Sequence, residues 1–530
     1  MANRFWGRVV LVGAGPGDPE LITVKGLRFL RSADVVIYDY LANERLLAEV
    51  PASAEKIYVG KQHGRHTLSQ EQINHLLIEK ARSHRLVVRL KGGDPFIFGR
   101  GGEEALALKE AGIPFEVVPG ITAGAAVLTY AGIPASHRGL ATSVSFITGH
   151  EDPTKESSDL DWPAIASMHG TLVFYMGLSN LPMIVNRLLE NGRSPATPVA
   201  LVRWGTTPCQ QTVEGTLGNI VARVEAVGLK PPVIIVVGDV VALRQQINWF
   251  ETKPLFGKRI VVTRSRSQIS VLQSLLEALG AEILAFPTIE ISEPESWQPL
   301  DSAIQEISKY GWIVFTSVNG VDAFFQRLHA QDKDSRALDH NFICAIGPAT
   351  AERLRAFGIK ADMQPKEFVT ESVVEEFQKL SDLKGKHILL PRADIARPLL
   401  KDELKRIGAA VTEVVAYRTR VDEGTSPEVL SKLRSGEVDI ITFTSSSTVK
   451  NFVAKIGQEN LTKWLSGVRI ACIGPITSKT AAELGLQTHI MPDEYTIPAL
   501  VQAIVEHMKG ESEKQTKKTR NCSAKLCLPG

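Results

Sequence analysis

Val88-Arg-Leu-Lys-Gly-Gly-Asp-Pro-Phe-Ile-Phe-Gly-Arg-Gly-Gly-Glu-Glu104 is the stretch on which the fold turns. It starts as a short β-rich run, passes through two glycines and a carboxylate, and enters a helical pattern. Glycine lets a ligand approach the backbone closely. Asp94 then stands at the C-terminal edge of a strand, where open α/β sheets bind their ligands. A plain glycine-rich turn accounts for some of these residues but not for the whole string. Outward from it the same alternation continues. Arg8–Val12, Val35–Tyr38, Leu86–Leu90, Phe115–Val118, Val144–Thr148 and Thr171–Tyr175 read as buried strands, with helical stretches such as Ser69–Arg82 and Gly102–Ala111 between them. Ser69 with Gln72 three residues on has the form of a capping box. The pattern predicts α/β architecture with mostly parallel sheets.

The chain has 530 residues, 44% hydrophobic and 22% charged, with 60 basic and 58 acidic side chains and a formal charge of +2. This is the balance of a globular protein, and it gives no reason to expect a nucleic-acid partner. Five scattered cysteines imply no disulfide framework, and no CxxC suggests a metal, so none is expected. No apolar run approaches the ~20 residues of a membrane span. The N-terminus runs straight into a glycine loop without a signal-peptide pattern, so a cytoplasmic protein is expected. Residues 509–530 hold six Lys or Arg against two Glu and few large apolar side chains, and they read as a basic disordered tail. The rest of the chain is therefore slightly acidic.

Gly13-Ala-Gly-Pro-Gly-Asp18 follows the first strand. Its glycines miss the G-x-G-x-x-G spacing of a dinucleotide fingerprint, and Pro16 and Pro19 intrude, although Asp34 lies about 20 residues on. An NAD-linked oxidoreductase is the rival reading for this region. The larger set of motifs resembles uroporphyrinogen-III C-methyltransferase, a tetrapyrrole methylase, over residues 5–250. It comprises Val12-Gly-Ala-Gly-Pro-Gly-Asp, Val59-Gly-Lys, the 88–104 string, Val118-Pro-Gly-Ile-Thr-Ala, Ala131-Gly-Ile-Pro-Ala-Ser-His-Arg, Thr148-Gly-His and Phe174-Tyr-Met-Gly. The resemblance implies a two-lobed methylase fold, a homodimer, and transfer of two methyl groups from S-adenosylmethionine to uroporphyrinogen III, giving precorrin-2. It places Pro16, Gly92, Gly93, Asp94, Ile97, Thr122, Ala123, Met176 and Gly205 at the cofactor, Asp39 as proton acceptor and Lys61 as proton donor. By sequence alone Asp39 is a loop carboxylate and Lys61 a solvated lysine. The substrate carries eight carboxylates. Arg100, His137 and Arg138 are candidates to hold them, because a guanidinium pairs with carboxylate as a fork. Surface salt bridges are the plainer alternative.

Beyond a boundary near Asn248–Gly257 the sequence repeats. Gly257-Lys-Arg-Ile-Val-Val-Thr-Arg matches Gly385-Lys-His-Ile-Leu-Leu-Pro-Arg. Leu279-Gly-Ala matches Ile407-Gly-Ala, and Thr316-Ser-Val-Asn-Gly-Val matches Thr444-Ser-Ser-Ser-Thr-Val, all at an offset of 128. Ala345-Ile-Gly-Pro-Ala-Thr matches Cys472-Ile-Gly-Pro-Ile-Thr at 127. A duplicated α/β unit predicts two similar lobes. Thr316, Ser317, Thr350, Thr444, Ser445 and Thr477 sit at turns whose hydroxyls and amides can bind carboxylates. Helix capping is the plainer reading. With Val415-Ala-Tyr-Arg-Thr added, the region resembles uroporphyrinogen-III synthase. The resemblance implies cofactor-free closure of hydroxymethylbilane to uroporphyrinogen III on two flavodoxin-like lobes, with Tyr417 the candidate acid near the interlobe connection and with chain exchange between lobes. The rival is a non-catalytic regulatory or tetrapyrrole-binding domain. The expected layout is a methyltransferase over 1–247, a linker over 248–256, a synthase over 257–508 and the tail over 509–530, serving sirohaem or cobalamin synthesis.

Overall fold

A computed structural model describes residues 7–60, 68–150, 159–263, 269–365, 370–380, 383–396, 398–421 and 427–525. The chain divides into two compact units. One is Met1–Arg259 with Leu275–Ile283 and Val505–Gly530, and the other is Ile260–Ser274 with Leu284–Ile504.

The first unit carries two five-stranded sheets. In one, Glu55–Tyr58, Val35–Tyr38, Leu86–Lys91, Arg8–Gly13 and Phe115–Val118 lie in that order, all parallel. The three central strands are buried along nearly their whole length, as a parallel sheet covered by helices requires, and Val9–Val12, Val35–Ile37 and Val87–Val88 are fully buried. The helix Gln70–Ser83 starts as its sequence predicts: Ser69 accepts from Gln72 N while its own N–H donates to the Gln72 side chain. The other sheet is Val144–Thr148, Thr171–Tyr175, Val233–Val237, Pro198–Arg203 and Gln211–Thr216. Only its first pair is parallel, and the remaining three are antiparallel. The expectation of mostly parallel sheets thus holds for the first sheet and not for the second. There, Pro198–Arg203 returns directly as Gln211–Thr216 across a short loop, which only antiparallel pairing allows. The interdomain segment is anchored: Phe250 and Leu255 are buried, and Trp249 Nε1 donates to Thr129 O at 3.0 Å.

The second unit contains the duplication, with its halves interleaved. Arg259–Val262 of the first repeat pairs in parallel with Ile440–Phe443 of the second, in a sheet ordered Glu282–Ala285, Arg259–Val262, Ile440–Phe443, Arg469–Cys472. His387–Ala393 of the second repeat pairs in parallel with Trp312–Phe315 of the first. That sheet is ordered Ile289–Ser292, Ala410–Val421, His387–Ala393, Trp312–Phe315, Phe342–Ala345. Each lobe therefore takes its first strands from one repeat and its later strands from the other, as the expected exchange requires. The exchange is carried by residues 286–288 and by the 12-residue strand Ala410–Val421, which also pairs antiparallel with Ile289–Ser292.

The last helix runs Ile497–Lys525. Residues 509–525, expected as part of a tail, lie on this helix. Leu500, Val501, Ile504, Val505 and Met508 anchor its first turns.

Candidate functional site

In the first unit, four loops leave the C-terminal edge of the parallel sheet. They carry Asp39, Gly13–Asp18, Gly92–Asp94 and Gly120–Thr122. Two backbone bonds clasp the second to the third: Gly93 N donates to Gly15 O at 2.9 Å, and Gly15 N donates to Gly93 O at 3.2 Å. Both glycines have φ near +70°, a region that favours glycine. Asp94 ties the third loop to the fourth, its Oδ2 accepting from Gly120 N at 2.9 Å and its Oδ1 from Phe96 N at 2.8 Å. Gly120 is wedged in place. A Cβ there would stand 2.1 Å from Gly93 O and 2.6 Å from Gly13 Cα. Gly120→Ala is accordingly expected to cost about 1–3 kcal/mol of stability, read as a lower melting temperature of this unit.

The second sheet closes the ring. Tyr175 is buried, and its hydroxyl accepts from Gly124 N at 2.6 Å and shares a hydrogen with Thr122 Oγ1 at 2.7 Å. Burial pushes its ionisation above the usual phenol range, so it remains a neutral strut. Met176, next along the chain, is 53% exposed with φ +56°. Thr206, beside Gly205, donates to Pro16 O and accepts from Asp18 N at 3.0 Å. Ile97 and Ala123 pack on the apolar cluster of Val127, Val173 and Val202. All nine expected cofactor residues thus lie on segments joined by these contacts. Exposed apolar side chains (Leu41, Phe98, Ile121, Met176) also stand on these segments.

Asp39 follows the strand Val35–Tyr38, and its side chain is 22% exposed. Its Oδ2 accepts from Arg89 Nη2 at 2.9 Å and its Oδ1 from Leu41 N at 3.1 Å. Leu41 in turn crowds Gly92, where a Cβ would lie 2.5 Å from Leu41 Cβ. Asp39 therefore sits beside the glycine clasp. Behind it is a buried ionic cluster that the sequence reading did not find: Arg89, Lys91 and Glu104. Burial and the neighbouring Arg89 lower the Lys91 ammonium's affinity for its proton, against the pull of Glu104. The alternation Arg89-Leu-Lys91, with polar side chains on every second residue of a buried strand, was the available signal. Lys61 lies outside the described residues. Arg100 is turned to a local partner, its Nε and Nη2 donating to Glu103 at 2.8 and 2.7 Å. His137 and Arg138 lie exposed in a turn closed by backbone bonds between His137 and Ala141.

In the second unit the candidates again cluster at strand C-termini. Ser317 Oγ accepts from Gly320 N at 3.1 Å and so caps the helix Val318–Ala330. It also hydrogen-bonds the Tyr417 hydroxyl at 3.0 Å. Thr316 precedes it, half-buried at the strand end. Tyr417 stands near the end of the exchange strand, with Arg392 and Asp394 close enough to act on its charge. Burial is the main influence and raises its ionisation above the usual value. In the other lobe Ser445 caps the helix Ser446–Ile456, accepting from Thr448 N at 3.4 Å, and bonds Ser447 at 2.9 Å, with Thr444 half-buried before it. Thr350 and Thr477 are each 5% exposed inside the first turn of their helices. Capping thus accounts for the two serines, and only Ser317 also reaches a second functional candidate.

Glycine-clasped loops beside a carboxylate, and a separate duplicated unit with a hydroxyl pair at its strand ends, are the two candidate sites of this α/β chain. Residues 8–221 match the family model of tetrapyrrole (corrin/porphyrin) methylases, and residues 270–502 that of uroporphyrinogen-III synthase HemD. A porphyrin biosynthesis protein HemD of Ruminiclostridium josui is 38% identical over 94% of this chain and 98% of its own length. A uroporphyrinogen-III C-methyltransferase of Bacillus subtilis is 42% identical over 70% of this chain and 77% of its own. An S-adenosyl-L-methionine-dependent uroporphyrinogen III methyltransferase of Methanosarcina barkeri is 53% identical over 45% of this chain and 93% of its own. The chain belongs to the tetrapyrrole methylases through its N-terminal part and to the uroporphyrinogen-III synthases through its C-terminal part, a bifunctional enzyme of tetrapyrrole biosynthesis.

Proposed function

We propose that the C-terminal unit closes hydroxymethylbilane to uroporphyrinogen III and that the N-terminal unit methylates this product twice to precorrin-2. The observation that carries the second step is the placing of Asp39 beside the Gly15–Gly93 clasp. S-adenosylmethionine would supply an electrophilic methyl carbon there. It carries no phosphate, so backbone approach and apolar contact suffice, and the glycines and exposed apolar side chains of the four loops provide both. The chain's own part is alignment, which turns a bimolecular encounter into an oriented one, and proton removal. When a pyrrole carbon gains a methyl group the ring must shed a proton, and Asp39, held by Arg89 with its charge partly open to solvent, accepts it. Lys61 as proton donor stands on the family resemblance.

In the second unit the substrate's hydroxyl leaves as water when a proton reaches it. Tyr417, kept protonated by burial and hydrogen-bonded to Ser317, is the donor. The polyanionic substrates call for cations, for which Arg100, His137 and Arg138 remain the proposed set in the first unit. No cofactor is proposed for the synthase. A homodimer through the methyltransferase unit is proposed on family resemblance. No helix among the described residues is long and apolar enough to cross a membrane.

Hydroxymethylbilane supplied with and without S-adenosylmethionine tests the whole reading. Uroporphyrinogen III is expected without it and precorrin-2 with it. Formation of the type I isomer alone, the product of spontaneous closure, would remove the synthase claim and leave a non-catalytic second unit.

A further inference from the structure

Beside Asp39 and its partner Arg89 lies a buried carboxylate, Glu104, with a side chain 0% exposed. It sits in the first turn of the helix Gly101–Glu110. Its Oε1 accepts from Lys91 Nζ at 2.8 Å, from Arg89 Nε at 3.3 Å and from Gln70 Nε2 at 3.3 Å. Its Oε2 is equally buried and has no hydrogen-bond partner among the described residues. Three donors on one oxygen and none on the other stabilise a buried carboxylate poorly. They do hold three donors at one point. Those donors come from the strand Leu86–Lys91 and from the first residue of the helix Gln70–Ser83.

Arg89 carries the contact onward. A guanidinium is a rigid planar fork whose edges cannot turn independently. Here Nε meets Glu104, Nη1 donates to Leu90 O at 3.0 Å and Ile37 O at 3.4 Å, and Nη2 meets Asp39 Oδ2. With the Nε edge pinned, one amino group faces Asp39. Without Glu104 the Nε edge is no longer pinned, and only the two carbonyl bonds of Nη1 and the Asp39 contact itself orient the guanidinium. A buried ion pair seldom adds stability over apolar packing, so its cost is better matched to geometry than to folding.

We propose that Glu104 is a positioning residue for methyl transfer. It touches neither substrate nor cofactor, and through Arg89 it sets the direction in which Asp39 presents its carboxylate. The proposal rests on Asp39 being the proton acceptor.

The test is a double-mutant cycle on the full chain with Glu104→Gln and Asp39→Asn, scored by radiolabelled methyl incorporation. Glu104→Gln is expected to lower kcat about ten- to a hundredfold, the scale of an ångström-level misplacement, with KM for S-adenosylmethionine unchanged. In the Asp39→Asn background it is expected to cost nothing further. Equal losses in both backgrounds, an unchanged kcat, or a rise in KM alone would each overturn the role of Glu104 while leaving Asp39 in place. If Asp39→Asn itself keeps full activity, the proton-acceptor reading fails first. Glu104→Asp, which retains the charge and shortens its reach, serves if the glutamine variant does not fold. A smaller kcat loss with the same non-additivity is expected, and additivity overturns the proposal.

Discussion

Asp39→Asn is expected to lower methyl incorporation about 10²- to 10⁴-fold, the usual contribution of a positioned acid or base, while cofactor binding and bilane closure persist. The separation follows from where Asp39 sits. It lies beside the glycine clasp and contributes none of the clasp's bonds, which run through Gly15, Gly93, Asp94 and Gly120. Asparagine keeps an acceptor for Arg89 Nη2, whereas alanine takes that acceptor away, while the guanidinium, 4% exposed, keeps Glu104 and two backbone carbonyls. A buried donor left unsatisfied costs about 1–3 kcal/mol, so Asp39→Ala is expected to lose some stability as well as activity. Titration calorimetry with S-adenosylmethionine separates the two cases. Lost binding in the asparagine variant would make Asp39 a structural residue.

Tyr417→Phe is expected to slow formation of the type III isomer about 100-fold and to leave methylation of supplied uroporphyrinogen III untouched. The substitution removes one hydroxyl. Ser317 keeps its capping bond to Gly320 N, so the stability cost is about 1 kcal/mol, one hydrogen bond. A synthase rate equal to that of the unaltered chain would dismiss Tyr417 as the acid. The pH dependence has a definite sign. Burial holds the folded-state ionisation above that of a free tyrosine, about 10. The stability linked to this group is therefore complete below that value and is lost as pH rises through the folded-state value.

The glycine strings and the duplication were readable because their meaning is local or periodic. A strand followed by Gly-Gly-Asp, or a run of residues recurring at an offset of 128, needs no partner to be recognised. Even the strand exchange was expected in outline. Arg89, Lys91 and Glu104 escaped because charged residues are surface residues by default. Their burial is decided by packing of the helices Gln70–Ser83 and Gly101–Glu110 across the strand Leu86–Lys91. The role of Tyr175 was hidden for a related reason: its partners Thr122 and Gly124 stand some 50 residues away in the chain. The antiparallel half of the second sheet was missed because apolar runs such as Val199–Val202 read alike in either direction.

The interleaving of the two repeats governs how the chain can fold as it is synthesised. The first unit's parallel sheet is complete by residue 118, and its strands can assemble while the rest is still being made. Neither lobe of the second unit has that freedom. Arg259–Val262 must wait for Ile440–Phe443, and Thr263 meets Thr442 across 179 residues of chain. Contacts so distant in sequence close slowly. The early strand's unpaired edge stays open to wrong partners in the meantime. In the proposed order of reactions the synthase acts first; in the order of folding it comes last.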